Sequence, residues 1–336
     1  MSSSINARVS ICLLSLAWIG AAWIAPPQHA DLIFRASTLI VLGISWNLMA
    51  NAGLISLAHA SFSGIGGYAA AIAAHTFGLP LYAALPLSIL AGVMLGAFLA
   101  ATTGRLSGLF FAIGTLAVSE ALRVVALMVP DMTGGAQGID VPQGLRFGPH
   151  SMAVAAAVLA GAALLLSLAL SASRFHYACR AMRSGESAAQ MLGLNPRRYR
   201  LGVLAISGGL ASCAGGLSAW YTGFLDPGIA FSLDITIIAQ VAPLLGGLYT
   251  VVGPVIGALV LTGVSEATRL GFSGTPGVGQ LLYGVILVVS VLLMPHGIVG
   301  LFKRLLTRRN AAAVRSRSQL AAAHEGNHPN PSAERT

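Results

Sequence analysis

Within long apolar stretches this chain places only a few ionisable side chains: Arg35, His59, His75, Glu120, Arg123, Asp234, Glu266 and Arg269. At the centre of a membrane helix each such group costs about 2.5–3.5 kcal/mol on insertion scales, so each needs a partner or a polar route to justify it. Glu120 and Arg123 stand three residues apart, as do Glu266 and Arg269. That spacing puts each pair on one helical face, where the charges neutralise each other. His59 sits beside Ser56, Ser61 and Ser63 in otherwise apolar surroundings. It admits two readings, a polar solute route or a hydrogen bond between packed helices. Proton-coupled carriers require a chain of buried acids or histidines at the membrane midplane, and the sequence offers too few of them.

Other chemistries find no constellation. There is no Walker-type phosphate loop, zinc-protease motif or serine-hydrolase elbow, so energy for uphill movement must come from outside the chain. A membrane-embedded enzyme would need an acid cluster or a nucleophile–base pair, and none stands out. Cys12, Cys179 and Cys213 are scattered without metal or redox spacing, so no metal and no cofactor are expected. The net charge of +9 comes from arginines in loops and at the C-terminal end, not from an aromatic-studded face, which excludes nucleic acid as the natural partner.

The elements that must position these residues are set by composition. Hydrophobic residues make up 56% of the 336 and charged residues 9%, against a charged fraction of about 25% in ordinary soluble domains. The fold class is therefore all-α, a polytopic helical membrane protein of about eight to ten transmembrane helices, some broken by Gly or Pro. Apolar segments lie near residues 9–25, 32–51, 54–77, 80–103, 108–129, 151–172, 201–224, 232–248, 251–270 and 279–301. The run after Arg8 is longer than a signal-peptide core of about 7–15 residues, so it reads as an uncleaved first helix. With the N-terminus in the cytoplasm, this count also puts Arg105, residues 173–200 and the basic residues 303–309 there, as the positive-inside rule favours. Asp131, Asp140 and Arg146, in the loop 130–150, then face outward. Residues 54–77, rich in small residues, and 232–248, short and carrying Pro243, are candidates for broken or re-entrant segments. Residues 1–302 form the transmembrane domain, and 303–336 a disordered basic cytoplasmic tail with too little apolar periodicity for a core.

Residues 174–200, RFHYACRAMRSGESAAQMLGLNPRRYR, interrupt this pattern with six arginines and the single acid Glu186. Their interior reads as a short helix capped by Ser184, with Glu186 in its first turn, ended by Gly193 and Pro196. A capped basic helix between two membrane helices is a handle for a soluble partner.

The segments GLISLAHASFSGIGGYAAA from Gly53, RLSGLFFAIGTLAVSEALRVV from Arg105, TGGAQGI from Thr133, the loop 181–200 and PLLGGLYTVVGPVIGA from Pro243 occur in a specific order along the chain. Together they resemble the LivM-type permease of branched-chain amino-acid ABC importers, from about residue 36 to 302. The resemblance implies a LivH-type partner permease, two cytoplasmic ABC ATPases, a periplasmic solute-binding protein and a surround of membrane lipid in a bacterial inner membrane. It also implies an ATPase-coupling loop carried by Arg183, Glu186, Ala189, Gly193, Asn195 and Arg197. A solute route along Asn47, His59, Ser61, Thr115 and Glu120 is expected. Solutes in such families extend from branched-chain amino acids to urea, amides and organic acids. Gln190 stands where the family often has a second acid, Tyr249 where a small residue is common, and Pro243 where an apolar one is usual.

Overall fold

The computed structural model describes residues 2–104 and 106–271, together with 281, 284, 285, 288 and 297–300. Arg105, most of the segment expected at 279–301 and the tail expected at 303–336 lie outside the described residues. The chain is a polytopic helical membrane protein. Its helices up to residue 271 are α1 (Ser2–Ile24), α2 (Ala30–Asn51), α3 (His59–Phe77), α4 (Leu81–Thr102), α5 (Gly108–Met128), α6 (Pro130–Thr133), α7 (Pro149–Ser171), α8 (Arg174–Ser184), α9 (Glu186–Met191), α10 (Pro196–Thr222), α11 (Pro227–Ala230), α12 (Leu233–Gly246) and α13 (Gly253–Gly271). Among the described residues, six helical runs are long and apolar enough to cross a membrane: α2 with the turn before it, α4, α5, α7, α10, and α11 with α12. A shorter apolar helix, Val9–Ile24, lies within α1.

Two interior helices organise the bundle. α10 packs most extensively against α4 and α3, and α2 against α7, then against α10, α12 and α13. Glycines set the spacing between α3, α4 and α10, because a Cβ on Gly66 would strike the Ser212 backbone and one on Gly215 the Ser63 carbonyl. In lipid, where hydrophobicity does not drive helices together, such close approach supplies the dispersion contacts that do. Hydroxyls finish the seams: Ser212 Oγ donates to the Phe62 carbonyl at 2.6 Å, Ser207 Oγ to that of Ser45 at 2.6 Å, and Ser88 Oγ to that of Gly66 at 2.8 Å.

At one end of the bundle, β1 (Ile139–Asp140) pairs antiparallel with β2 (Phe224–Leu225) in the register Ile139↔Leu225. Arg146 Nε donates to the Val141 carbonyl at 2.9 Å and its guanidinium reaches that of Gly223, which closes the connection between α5 and α7 onto α10. Helices α8 and α9 lie at the opposite end.

Of the two segments expected to be broken or re-entrant, 54–77 opens with an unwound stretch, whereas 232–248 holds one uninterrupted helix, α12. Helix α3 starts only at His59; the chain turns at Gly53 with φ +77° and runs back unwound through residues 54–58. Side chains satisfy the amides at its end: Leu57 N–H donates to Thr115 Oγ1 at 3.0 Å, Ala58 N–H to Ser56 Oγ at 3.1 Å, and Ala60 N–H to Thr236 Oγ1 at 2.9 Å. For residues 232–248 the interruption precedes the helix, at Phe231 and Ser232 between α11 and α12, where Ser232 Oγ accepts the Asp234 N–H at 3.2 Å. α12 runs through Pro243, which has no N–H to give the Ala239 carbonyl, and ends one turn later, the Pro243 carbonyl accepting the Gly247 N–H at 2.9 Å.

The glycine seam is directly testable. Gly66→Val should cost at least about 3 kcal/mol, an overpacked contact against backbone that cannot yield, and should abolish a monodisperse peak in detergent chromatography. Gly144→Ala, where a Cβ meets nothing within 4 Å, should leave the profile unchanged.

Candidate coupling segment and solute route

Residues 173–200 fold as two helices and a return, not as one capped helix. Ser173 caps α8, its hydroxyl accepting the His176 N–H at 3.4 Å. Ser184, the expected cap of the second helix, instead ends α8, and its Oγ donates back to the Arg180 carbonyl at 3.2 Å. The cap position of α9 falls to Gly185, whose extended backbone turns the chain sharply without a side-chain acceptor. Gly193, at φ +82°, ends the turn after α9, and Asn195 Oδ1 accepts the Arg197 N–H at 3.1 Å to start α10.

Helix α8 is seated on the bundle by Ala178, Cys179 and Met182, all buried. Burial pushes the Cys179 thiol up to about 12, and burial together with Arg180 and Arg183 lowers the pKa of His176. Both groups are packing residues of a seated helix.

Four of the six expected coupling residues, Glu186, Gly193, Asn195 and Arg197, surround one open cleft of about 570 Å³ that Gly104 and Gln190 also line. Ala189 is not among its lining and is buried in the apolar cluster that also holds Leu204. Arg183 also turns inward: its guanidinium lies 3.7 Å from the centroid of the Tyr249 ring. The outermost tip of the segment is apolar, with Met191 83% and Leu192 79% exposed. That combination, a polar cleft beside an apolar protruding tip, suits insertion into a groove of a soluble protein.

The residue that fixes this segment is not one that the sequence singles out. Arg200, in the first turns of α10, forms a 2.7 Å ion pair with Glu186 while its other nitrogen donates to the Gly104 and Leu106 carbonyls at 2.9 and 3.0 Å. Its side chain is 8% exposed, against 36% for Glu186. One buried guanidinium thus joins α9, α10 and the linker between α4 and α5. The signal that could have found it is electrostatic: Arg200 is the arginine of the loop nearest the apolar run, and Glu186 its only acid.

The expected route residues divide. Asn47, His59, Ser61 and Thr115 are all buried inside the chain. Asn47 uses both ends of its amide on the turn between α12 and α13, accepting from Tyr249 N–H at 3.0 Å and donating to the Thr250 carbonyl at 2.9 Å. His59 Nε2 lies 3.0 Å from Ser45 Oγ, which donates to the Leu42 carbonyl; the imidazole therefore carries its proton on Nε2, and Nδ1 faces no partner among the described residues. Ser61 Oγ donates to the Ala58 carbonyl at 2.7 Å, and Thr115 holds the unwound stretch before α3. Glu120 is separate. It pairs with Arg123 on the outer face of α5, its side chain 58% exposed. Glu266 pairs with Arg269 in the same way, and Arg35 with Asp31 at 2.9 Å. Thr236, which grips the start of α3 from α12, had no sequence signal beyond a lone hydroxyl in an apolar run.

A family model described as the permease component of branched-chain amino acid transport systems matches residues 29–291. The chain belongs to this family. The match spans the bundle and the α8–α9 segment together. Relatives include the high-affinity branched-chain amino acid permease protein LivM of Escherichia coli K12, 27% identical over 91% of this chain and 77% of its own length. The probable branched-chain amino acid permease LivH of Methanocaldococcus jannaschii is 27% identical over 80% of this chain and 91% of its own. BraD of Pseudomonas aeruginosa, a high-affinity branched-chain amino acid permease protein, is also 27% identical, over 79% of this chain and 92% of its own.

The Arg200 tie carries a prediction. Arg200→Ala should destabilise the folded chain by about 3 kcal/mol, since it strips a buried partner from one carboxylate and two carbonyls. Glu186→Gln, at a half-exposed position, should cost about 1 kcal/mol or less. Thermal unfolding in detergent reads both, and an unchanged midpoint for Arg200→Ala would show that the guanidinium does not hold the segment.

Proposed function

We propose that this chain is the LivM-type permease subunit of an ABC importer in a bacterial inner membrane, moving branched-chain or related small amino acids inward. The observation that carries the proposal is the α8–α9 segment, an exposed apolar tip anchored through Glu186 and Arg200 to the bundle, in a chain of the branched-chain amino acid permease family. A short rigid element tied to several helices can pass a displacement at its tip into the membrane. The soluble source of that displacement is a pair of cytoplasmic ATPases, because the sequence carries no phosphate-binding motif of its own. Both termini then lie in the cytoplasm, and a periplasmic binding protein delivers the solute at the β1–β2 end.

The partner permease belongs on the outer face of α5. That face exposes Glu120 with Ile113 and Val124 around small residues such as Ala117 and Ala121. A carboxylate in the middle of a membrane helix belongs against protein or a wet route and not against lipid. The solute route accordingly runs between the two permeases along α5. Glu120 lies on it, while Asn47, His59, Ser61 and Thr115 hold the α3 and α12–α13 turns that support its wall. The relatives LivM and LivH, both permease proteins by name, fit such a pairing.

Purification of the tagged chain from its native membrane in mild detergent should recover a second permease and ATPase subunits. Recovery of the folded chain alone, with ion-gradient uptake in ATP-free liposomes, would replace this proposal with a self-sufficient carrier. Deleting residues 185–193 should abolish ATP-driven leucine uptake while membrane insertion persists. Glu120→Gln should slow uptake roughly tenfold, the worth of one lost polar contact of about 1.4 kcal/mol, without loss of assembly; an unchanged rate would take Glu120 off the route.

A further inference from the structure

Two turns at the α9 end share one pattern. Gly53-Leu54-Ile55-Ser56 precedes α3, and Gly247-Leu248-Tyr249-Thr250 precedes α13. Both glycines have positive φ, +77° and +141°. Both hydroxyls cap the backbone just beyond them, Ser56 Oγ accepting the Ala58 N–H at 3.1 Å and Thr250 Oγ1 the Gly253 N–H at 2.9 Å. Arg183 lies between the two turns. Its own Cα stands 3.2 Å from where a Cβ on Gly53 would be, and its guanidinium covers the Tyr249 ring at 3.7 Å.

The contact with Tyr249 has two unusual components. Arg183 Nη1 is buried and faces no hydrogen-bond partner among the described residues, so the ring face supplies what an acceptor would otherwise provide. Tyr249 has φ +65°, a region that a bulky residue seldom occupies, and the Asn47 amide clamps it there from both sides. A glycine would adopt this backbone without strain. The chain therefore holds a strained aromatic residue where its ring meets a cation from the last turn of α8, just ahead of α9.

We infer that Arg183 and Tyr249 form a yoke that joins the α8–α9 element to both helical hairpins, α2–α3 through Gly53 and α12–α13 through the ring. This rests on the proposal that α9 receives the ATPase movement. Tyr249 is then a positioning residue for coupling: it touches no solute, and its ring makes the α12–α13 hairpin follow α8. The Glu186–Arg200 tie addresses the α4–α5 linker and α10, so the yoke is the second, separate connection. A phenylalanine ring should serve as well as tyrosine, since the cation meets the ring face and not the hydroxyl.

The test uses the whole assembly, with the partner permease, ATPases and binding protein, reconstituted in liposomes, and reads radiolabelled leucine imported per ATP hydrolysed. Tyr249→Gly relieves the backbone and removes the ring. It should leave assembly and ATP hydrolysis in place while the ratio falls at least fivefold. Tyr249→Phe should keep the wild-type ratio. Arg183→Ala combined with Tyr249→Gly should lower the ratio no further than Tyr249→Gly alone. A wild-type ratio in Tyr249→Gly, or equal loss in Tyr249→Phe, would overturn the yoke. A wild-type assembly that imports no leucine or hydrolyses no ATP would instead overturn the import proposal on which the yoke rests, before any variant is compared.

Discussion

Every interrupted helix in an apolar bundle leaves backbone donors and acceptors that no water can satisfy, and the architecture of this chain derives from how those groups are answered. The unwound stretch before α3 is answered by Thr115 of α5 and Thr236 of α12. The turn before α13 is answered by Asn47 of α2. The exchange is mutual. α12 caps the break after α2, and α2 clamps the break after α12, so neither hairpin keeps its turn if the other leaves. Small residues are a product of the same requirement, because hydroxyls and amides this short reach their targets only when the backbones nearly touch.

That reciprocity gives the α8–α9 segment something stiff to act on. A lever fastened to a single helix would tilt that helix alone. Here the fastening is spread: Arg200 reaches the α4–α5 linker, Arg183 the turns of two hairpins, and Cys179 with Met182 the floor beneath α8. Arginine suits both junctions because its planar head can bind several carbonyls at once or lie flat on a ring, which a lysine ammonium does less well.

Much of this was legible in the residues. Among the described residues, continuous apolar length marked the membrane helices to within a few residues, since lipid imposes that length directly. The three-residue spacing of Glu120 with Arg123 and of Glu266 with Arg269 foretold both ion pairs. The loop's basic character and its stop signals located α9. What stayed hidden was tertiary. Ser184 looked like a cap because serine before an acid often is one, but α8 continued through it and left Gly185 at the corner. Asn47 was expected on a polar route because polar residues in apolar helices are scarce; only the fold shows it reaching a turn about two hundred residues later. Pro243 looked like a break, yet α12 runs through it.

The clamp on α3 also has a consequence for how the protein is made. Ala60 is separated from Thr236, its acceptor, by 176 residues. At a synthesis rate of about 5–20 residues per second, the Ala60 amide waits roughly 9–35 s for that acceptor. Ser212, which seals α3 against α10, arrives 150 residues after its target Phe62. The first turn of α3 thus gains this cap only after α12 has been made, and its seal against α10 only after Ser212, so the hydrogen bonds that fix α3 are late products of the order in which the chain is synthesised.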